Sequence, residues 1–260
     1  MQDTIKKTFL VAFLLCLICS VLVATAAVVF KPKQDQNKLR NKQLNILYAA
    51  GLAEPGRALS SKQIDALFTG KIKSRIVELS TGKFIHTIPV NTFDQYKAAK
   101  NQKASVSLSP KEDIAGIGRK SLYAKVYVIE DANRRIEKLV LPIHGYGLWS
   151  TLYGFISLES DFNTIAGLGF YQHAETPGLG GEVDNPLWKA QWIGKKVYQN
   201  HQPRIALVKS KSDNPNLAPY QVDALSGTTL TSMGVNNLLR FWLGRQGFLP
   251  LIDRLKAEAK

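Results

Sequence analysis

The longest apolar segment of the chain lies at its N-terminus. Residues 8–30 carry no charged side chain, with Lys6 and Lys7 before them and Lys31 and Lys33 after them. A helix of this length measures about 34 Å, which exceeds the roughly 30 Å of a bilayer's hydrocarbon core. The pattern predicts a single transmembrane helix, with residues 1–32 as a membrane anchor.

The same segment also contains two patterns that are found in cleaved N-terminal signals. Residues 24–26 have the A-x-A form of a signal-peptidase site. Cys19 has the place of a lipoprotein cysteine, although the bulky Ile18 precedes it instead of the usual small residue. Because the apolar run continues to Phe30, beyond the length of an ordinary signal core, an uncleaved anchor is favoured.

Helical patterns follow the anchor, in a region that we delimit as residues 33–120. Apolar residues at positions 44, 47, 48 and 52 share one helical face and predict a helix that ends near Gly51. Ser60 and Gln63 have the spacing of a capping box and predict the start of a second helix. Residues 74–90 resemble short strands, whereas residues 91–121 are polar and predict no regular element. We expect a membrane-proximal helical and α+β region.

From residue 121 onward, most apolar segments have the length and composition of strands. A β-hairpin is predicted from residues 123–130 and 136–143, and further strands from residues 152–158, 164–170, 204–209 and 220–225. Residues 139–158 are apolar enough to suggest a second membrane helix, but Pro142, Gly145 and Gly147 interrupt them. Helices are predicted over residues 184–192, over a segment with apolar positions 235, 238, 239 and 242, and after the glycines at 244 and 247. The predicted fold class is α+β, with residues 121–260 as one domain.

Charge and cysteine content narrow the range of partners. The net charge is +14, and residues 31–42 carry five basic side chains against Asp35 alone. No nucleic-acid motif accompanies this charge, so we expect contact with anionic lipid and no nucleic-acid partner. By the positive-inside rule, the same patch favours a cytoplasmic domain.

Both cysteines, Cys16 and Cys19, lie in the predicted span, which leaves the domain without a thiol nucleophile or a disulfide framework.

The candidate chemistry centres on the run from Asp223 to Ser232, which is Asp-Ala-Leu-Ser-Gly-Thr-Thr-Leu-Thr-Ser. Hydroxyl residues before a helix usually act as caps, and Thr231 or Ser232 is a plausible N-cap for the helix that follows. A cap needs one oxygen acceptor, however, and this run offers several hydroxyls with a glycine behind an aspartate. The run therefore keeps two interpretations, a helix cap and a site of modification.

Two glycine-rich segments, residues 145–150 and 173–182, are candidates for a cofactor pocket. Glycine lets a backbone approach a planar ring, and apolar side chains could contact the face of such a ring. The residues that we single out are Gly145, Leu148, Trp149, Glu175, Thr176, Gly178 and Leu179, of which Glu175 or Thr176 would face polar atoms of the ring or its side chain. Each segment alone is also explained as a β-turn. The four histidines have no metal-ligand spacing, and for His173 a structural hydrogen bond is the preferred role.

Taken together, the anchor, residues 45–52, both glycine-rich segments and the hydroxyl run resemble the extracytoplasmic flavoprotein subunit of the sodium-pumping NADH:quinone reductases, over nearly the whole chain. The hydroxyl run is similar to the signature on which a flavin transferase attaches FMN. The resemblance implies covalent FMN, bound by a phosphoester to Thr229, with Asp223, Ser226, Gly227 and Thr228 in the same motif. Asp223 would serve recognition by the transferase or its metal. Thr228 stands where the family more often has alanine, which creates a second candidate acceptor, although position favours Thr229.

The resemblance also implies a function and a place in the cell. We expect an FMN domain on the periplasmic side of a bacterial inner membrane, although the basic patch favours the opposite side. The chain would relay electrons between partner subunits of a sodium-pumping NADH:ubiquinone oxidoreductase, without binding NADH or reducing quinone itself. The alternatives are the related flavoprotein subunit of Rnf-type electron-transport complexes, and a non-redox anchored domain that binds lipid or a partner protein.

Overall fold

The computed structural model describes residues 2–54 and 56–258, with six α-helices and twelve strands among them. The helices are α1 Gln2–Ala49, α2 Ser61–Lys71, α3 Gln95–Lys100, α4 Pro186–Ala190, α5 Thr229–Trp242 and α6 Leu249–Glu258. The strands are β1 Lys73–Glu78, β2 Phe84–Ile85, β3 Ser105–Ser107, β4 Arg119–Ser121, β5 Tyr123–Glu130, β6 Ile136–Tyr146, β7 Thr151–Glu159, β8 Ile165–Gln172, β9 Tyr198–Gln199, β10 Gln202–Pro203, β11 Ala206–Val208 and β12 Gln221–Asp223. Three 3₁₀-helices complete the order: Gln102–Ala104, Gly180–Asp184 and Ala218–Tyr220.

The predicted anchor is part of one continuous helix, α1. Residues 4–49 are long and apolar enough to cross a membrane, and the apolar part of the helix is exposed rather than packed into the protein. The sequence predicted separate helices before and after Pro32, but Pro32 lies inside α1. A proline in a helix interior removes one backbone hydrogen bond and costs about 3 kcal/mol, which the long helix on both sides of it tolerates. The chain forms two compact units that divide between Lys42 and Gln43.

The second unit is built on a six-stranded antiparallel sheet in the order β2–β1–β5–β6–β7–β8. The predicted hairpin is confirmed: β5 pairs with β6, and Tyr127 lies opposite Val140. The central strand β6 is longer than predicted and reaches Tyr146. The first glycine-rich segment therefore lies at the C-terminal end of this strand. Because β1 pairs with β5, residues on both sides of the expected boundary at residue 120 share this sheet.

Both faces of the sheet are covered, which explains why its strands are apolar almost throughout. On β5, Val126 and Val128 belong to the core that includes α5 and α6. Their neighbours Tyr127 and Ile129 face the second core, which the end of α1 and helix α2 share. α2 begins with the predicted capping box, in which the Ser60 hydroxyl accepts the Gln63 amide.

The remaining predicted helices and strands are present with different bounds, whereas residues 91–121, for which no regular element was predicted, contain α3, β3 and β4. The helix expected over residues 184–192 is a 3₁₀-helix followed by the short α4. The two strands predicted after residue 203 are the parallel pair β11 and β12, whose ends place Val208 opposite Asp223. Helix α5 follows β12 after a five-residue connection, residues 224–228, and packs against β6. These contacts bring the hydroxyl run to the end of the sheet at which β6 ends.

Candidate functional site

A cavity of about 310 Å³ lies where the two glycine-rich segments meet the start of α5. As the sequence predicted, all three segments contribute to its lining. The lining residues are Leu148, Trp149, Glu175, Thr176, Leu179, Gly180, Gly227, Thr228, Thr229, Leu230 and Thr231. Among the described residues, no group of three or more His, Cys, Asp or Glu side chains has the arrangement of a metal site.

Helix α5 begins earlier than the sequence predicted. Gly227 has φ +70°, a conformation that suits glycine, and it turns the chain so that Thr228 becomes the N-cap. The prediction of Thr231 or Ser232 as the N-cap is therefore wrong, since both lie in the first turn of the helix. The Thr228 side chain makes no capping hydrogen bond to the helix, so it leaves amide groups of the first turn without a side-chain cap.

The hydroxyls of the run differ sharply in their surroundings. Thr228 and Thr231 are buried, and the Thr228 hydroxyl donates to Thr231 Oγ1 at 2.8 Å. Ser232 is also buried, and its hydroxyl donates to the Thr228 carbonyl oxygen. Thr229, in contrast, is exposed on the first turn of α5 and lines the cavity. The side chain that the resemblance marks as the acceptor is thus an accessible hydroxyl.

Glu175 is 5% exposed and ties the glycine-rich segments to α5. Its carboxylate accepts the Thr231 hydroxyl at 2.7 Å and the backbone amides of Trp149 and Ser150 at 3.0 and 3.1 Å. Successive amides that converge in this way form an anion-binding nest. Burial raises the pKa of Glu175, but the hydrogen bonds from Thr231 and the backbone amides outweigh it, so the pKa is lowered and the group is ionised.

This geometry changes the expected role of Glu175. We expected Glu175 or Thr176 to face polar atoms of the flavin, but both carboxylate oxygens of Glu175 accept hydrogen bonds from the protein itself. A short loop whose backbone amides point inward needs an acceptor, and Glu175 meets that need. Glu175 therefore holds the cavity wall together, while Thr176 keeps its predicted place in the lining.

Comparisons with known proteins bear on the same segments. Residues 147–244 match the FMN-binding domain family. The chain is 49% identical to the C subunit of the Na⁺-translocating NADH-quinone reductase of Pseudomonas aeruginosa, with 99% of each chain covered. It is 43% identical to the same subunit from Vibrio alginolyticus, over 98% of this chain and 96% of that protein.

The chain belongs to the NqrC family, the C subunits of the Na⁺-translocating NADH-quinone reductases. Its fold resembles that of NqrC from Shewanella oneidensis, with a TM-score of 0.75, 34% identity and coverage of 86% of this chain and 99% of that one. The structure of the corresponding subunit from Parabacteroides distasonis is also similar, with a TM-score of 0.63, 29% identity and coverage of 84% of this chain and 96% of that one. Family membership and the apolar helix α1 together indicate a membrane-anchored subunit.

Four of the predicted site residues lie outside the cavity lining of this family member. Asp223 lies at the end of β12, where its carboxylate accepts a hydrogen bond from Lys211 Nζ at 2.7 Å. Ser226 is exposed in the connection before α5. Gly178 has φ +74° and supports a turn. A Cβ atom on Gly145 would lie 2.6 Å from Leu238 Cβ, so glycine at this position allows α5 to pack against β6.

Sequence reasoning missed several residues that shape the cavity. Leu230 lines it directly, beside Gly180, which lies within the predicted segment of residues 173–182. Gly234, inside α5, lies so close to the first glycine-rich segment that a Cβ atom would be 2.5 Å from the Tyr146 carbonyl oxygen. A glycine in the interior of an amphipathic helix was the available signal, because such a residue is usually kept for close packing.

His173 has the structural role that the sequence favoured. Its Nε2 lies 2.8 Å from Asp184 Oδ2, and its Nδ1 accepts the Glu175 amide at 3.2 Å. Both ring nitrogens therefore have partners within the loop of residues 173–184. We infer that His173 fixes the shape of this loop, which in turn positions Glu175.

Proposed function

We propose that the domain of this subunit carries FMN, bound covalently through a phosphoester to Thr229, and relays electrons between partner subunits of the complex. The observation that carries the proposal is the accessible Thr229 hydroxyl, at the start of a helix and beside a cavity lined by both glycine-rich segments. The match of residues 147–244 to the FMN-binding domain family and the names of the relatives support it.

The residues present fit this cofactor. Thr229 is in the first turn of a 14-residue helix whose N-cap side chain leaves amides free, and such a helix start favours a phosphate group. Exposed apolar side chains stand around the cavity: Trp149 is 66% exposed, Leu179 is 44% and Leu230 is 54%. Surfaces of this kind favour the planar ring of a flavin.

In the proposed function, FMN supplies the redox chemistry, because the flavin ring accepts and donates electrons. The protein holds the phosphate at Thr229 and orients the ring against the apolar rim. Glu175 keeps the wall of residues 148–150 in place and contributes a fixed negative charge near the site. None of these roles requires Thr229 to act as a nucleophile during electron transfer.

We propose further that a flavin transferase attaches the cofactor and that the domain lies on the periplasmic side of a bacterial inner membrane. The resemblance of the hydroxyl run to the acceptor signature supports both points. Fusion of a reporter that is active only on one side of the membrane, placed at the C-terminus, tests the side. Activity of a cytoplasmic reporter would contradict the proposal and would agree with the basic patch at residues 31–42.

The test of the cofactor linkage compares the full chain with two variants, each co-expressed with a flavin transferase. Thr229→Ala should lose covalent flavin fluorescence on a denaturing gel, and Thr229→Ser, which keeps the hydroxyl, should retain part of it. Peptide mass should locate FMN on Thr229 in the unsubstituted chain. A colourless purified protein would favour the non-redox alternative, and FMN mass on another residue would contradict the assignment.

A further inference from the structure

The hydroxyl run contains five side-chain hydroxyls, which differ in their exposure to solvent and in their hydrogen bonds. Thr228, Thr231 and Ser232 are at most 7% exposed and each makes hydrogen bonds within the protein. Ser226 and Thr229 are exposed, and of these two only Thr229 lines the cavity. A transferase that meets the folded chain therefore encounters one hydroxyl at the cavity that is free to react.

We propose that the hydrogen-bonded chain Thr228–Thr231–Glu175 selects Thr229 as the flavin acceptor and keeps Thr228 as a latent second acceptor. This inference rests on the proposed function, since it concerns the same modification. It assigns Glu175 and Thr231 as positioning residues: neither is modified, but together they determine which hydroxyl is available.

The direction of the hydrogen bonds supports the selection. An ionised carboxylate can only accept hydrogen bonds, so Thr231 donates its proton to Glu175. The Thr231 oxygen then accepts the proton of Thr228. This order holds the Thr228 side chain inward, against the buried Thr231. Reaction at Thr228 first requires this buried hydrogen bond to break, whereas reaction at Thr229 does not.

The modification itself is a phosphoryl-group transfer with no change of oxidation state. The threonine Oγ attacks the flavin-side phosphorus of a flavin dinucleotide that is bound by the transferase. A threonine O–P bond forms, the P–O bond of the pyrophosphate bridge breaks and a nucleoside monophosphate leaves. The hydroxyl proton passes to a base on the transferase or to water. The buried Thr228 oxygen must first turn outward to reach that phosphorus, whereas Thr229 is already exposed.

Glu175→Gln tests the proposal with almost no change of shape. The neutral glutamine replaces the charge-assisted hydrogen bond between Thr231 and the Glu175 carboxylate by a weaker one, which loosens the chain that holds Thr228 inward. Thr231→Val removes the acceptor of Thr228 by a different route. Glu182→Gln is the matched control. The Glu182 carboxylate accepts a hydrogen bond from the Asn185 side-chain amide, and it lies in the same segment as Glu175 without bonding to Thr228 or Thr231. Each substitution is placed in the Thr229→Ala background and, separately, in the unsubstituted chain.

Full-length chains are co-expressed with a flavin transferase, and peptide mass measures FMN at each position. In the Thr229→Ala background, we expect labelling at Thr228 to rise at least about tenfold with Glu175→Gln and with Thr231→Val, but not with Glu182→Gln. Circular dichroism and the melting temperature check that each variant is folded. With Thr229 intact, both single variants should also show part of their FMN on Thr228, which gives a second measurement if a double variant fails to fold.

Two results would overturn the inference. Labelling of Thr228 in Thr229→Ala alone that equals the labelling in the double variants would mean that the hydrogen-bonded chain does not exclude it. Absence of Thr228 labelling in every variant, single or double, while Thr229 remains labelled in the single variants, would mean that the chain does not control the choice. Failure of the proposed function is distinct, because the unsubstituted chain would then carry no FMN at Thr229.

Discussion

Gly234 of helix α5 lies directly against the backbone at Tyr146, where a Cβ atom would come within 2.5 Å of the Tyr146 carbonyl oxygen. The same Cβ atom would lie 2.9 Å from Gly147 Cα. The helix that carries Thr229 is therefore pressed onto the segment that forms one wall of the cavity. This contact fixes the distance between the proposed attachment point and the residues that would hold the ring.

Gly234→Ala should destabilise the fold and separate α5 from this segment. Overpacking of a tight contact with backbone atoms costs about 1–3 kcal/mol, and we expect a lower melting temperature together with weaker retention of flavin fluorescence. Gly70→Ala is the matched control, since Gly70 is in helix α2 and its Cβ atom would meet nothing within 4 Å. That substitution should be neutral or stabilise by up to about 1 kcal/mol. Equal melting temperatures for the two variants would contradict the contact.

Trp149→Ala should alter the flavin without affecting the fold. Trp149 is 66% exposed at the cavity, so its loss should change the free energy of unfolding by no more than about 0.5 kcal/mol. The visible circular dichroism and the fluorescence yield of the attached FMN should change, because an aromatic contact to the ring is lost. Leu187→Ala, at a residue that is 80% exposed and outside the cavity lining, is the control. Identical flavin spectra in both variants would remove Trp149 from the site.

Asp161 should make stability depend on pH in the acid range. Its pKa is lowered to about 2: burial raises it, but hydrogen bonds from Thr164, from the Asn163 amide and from Lys196 outweigh burial. Because the folded-state pKa lies below the usual value of 3.8, this stabilisation is fully present above that value and is lost as the pH falls toward 2.

Asp161→Asn should remove this part of the pH dependence. Urea unfolding of the detergent-solubilised chain, measured between pH 2 and pH 6 by near-ultraviolet circular dichroism, should show a smaller loss of stability in the variant below about pH 4. Asp213→Asn, at an exposed position, is the control and should follow the unsubstituted chain. Parallel curves for all three proteins would exclude the assigned role of Asp161.

Ser60→Ala should loosen the start of helix α2. The Ser60 hydroxyl accepts the Gln63 amide, and the Gln63 side chain accepts the Ser60 amide at 2.8 Å. Loss of such a cap costs about 1 kcal/mol, and hydrogen exchange should speed up in residues 61–64 while the sheet remains protected. Ser61→Ala, one position further along, should leave the exchange rates nearly unchanged. Unchanged protection in Ser60→Ala would show that tertiary packing alone holds the helix.

Features that depend on contiguous residues could be predicted from the sequence. Three features depend on neighbouring residues: the apolar run of residues 8–30, the capping box at Ser60 and the two apolar segments that form the β5–β6 hairpin. All three appear in the structure. The acceptor motif and the glycine-rich segments could be recognised for the same reason, because short motifs are preserved as contiguous residues. Their assignment to one cofactor site came from the resemblance to a family, not from any single pattern.

Tertiary structure alone decided how these segments act together. The sequence placed the N-cap of α5 at Thr231 or Ser232, but the positive φ at Gly227 starts the helix at Thr229 and turns Thr231 toward Glu175. Glu175 or Thr176 was expected to face polar atoms of the flavin, yet the Glu175 carboxylate accepts hydrogen bonds from Ser150, 25 residues before it, and from Thr231 of helix α5, 56 residues after it. No local pattern encodes such contacts, because a buried carboxylate accepts whichever donors the fold brings to it. Which hydroxyl of the run remains exposed is therefore a property of the folded chain.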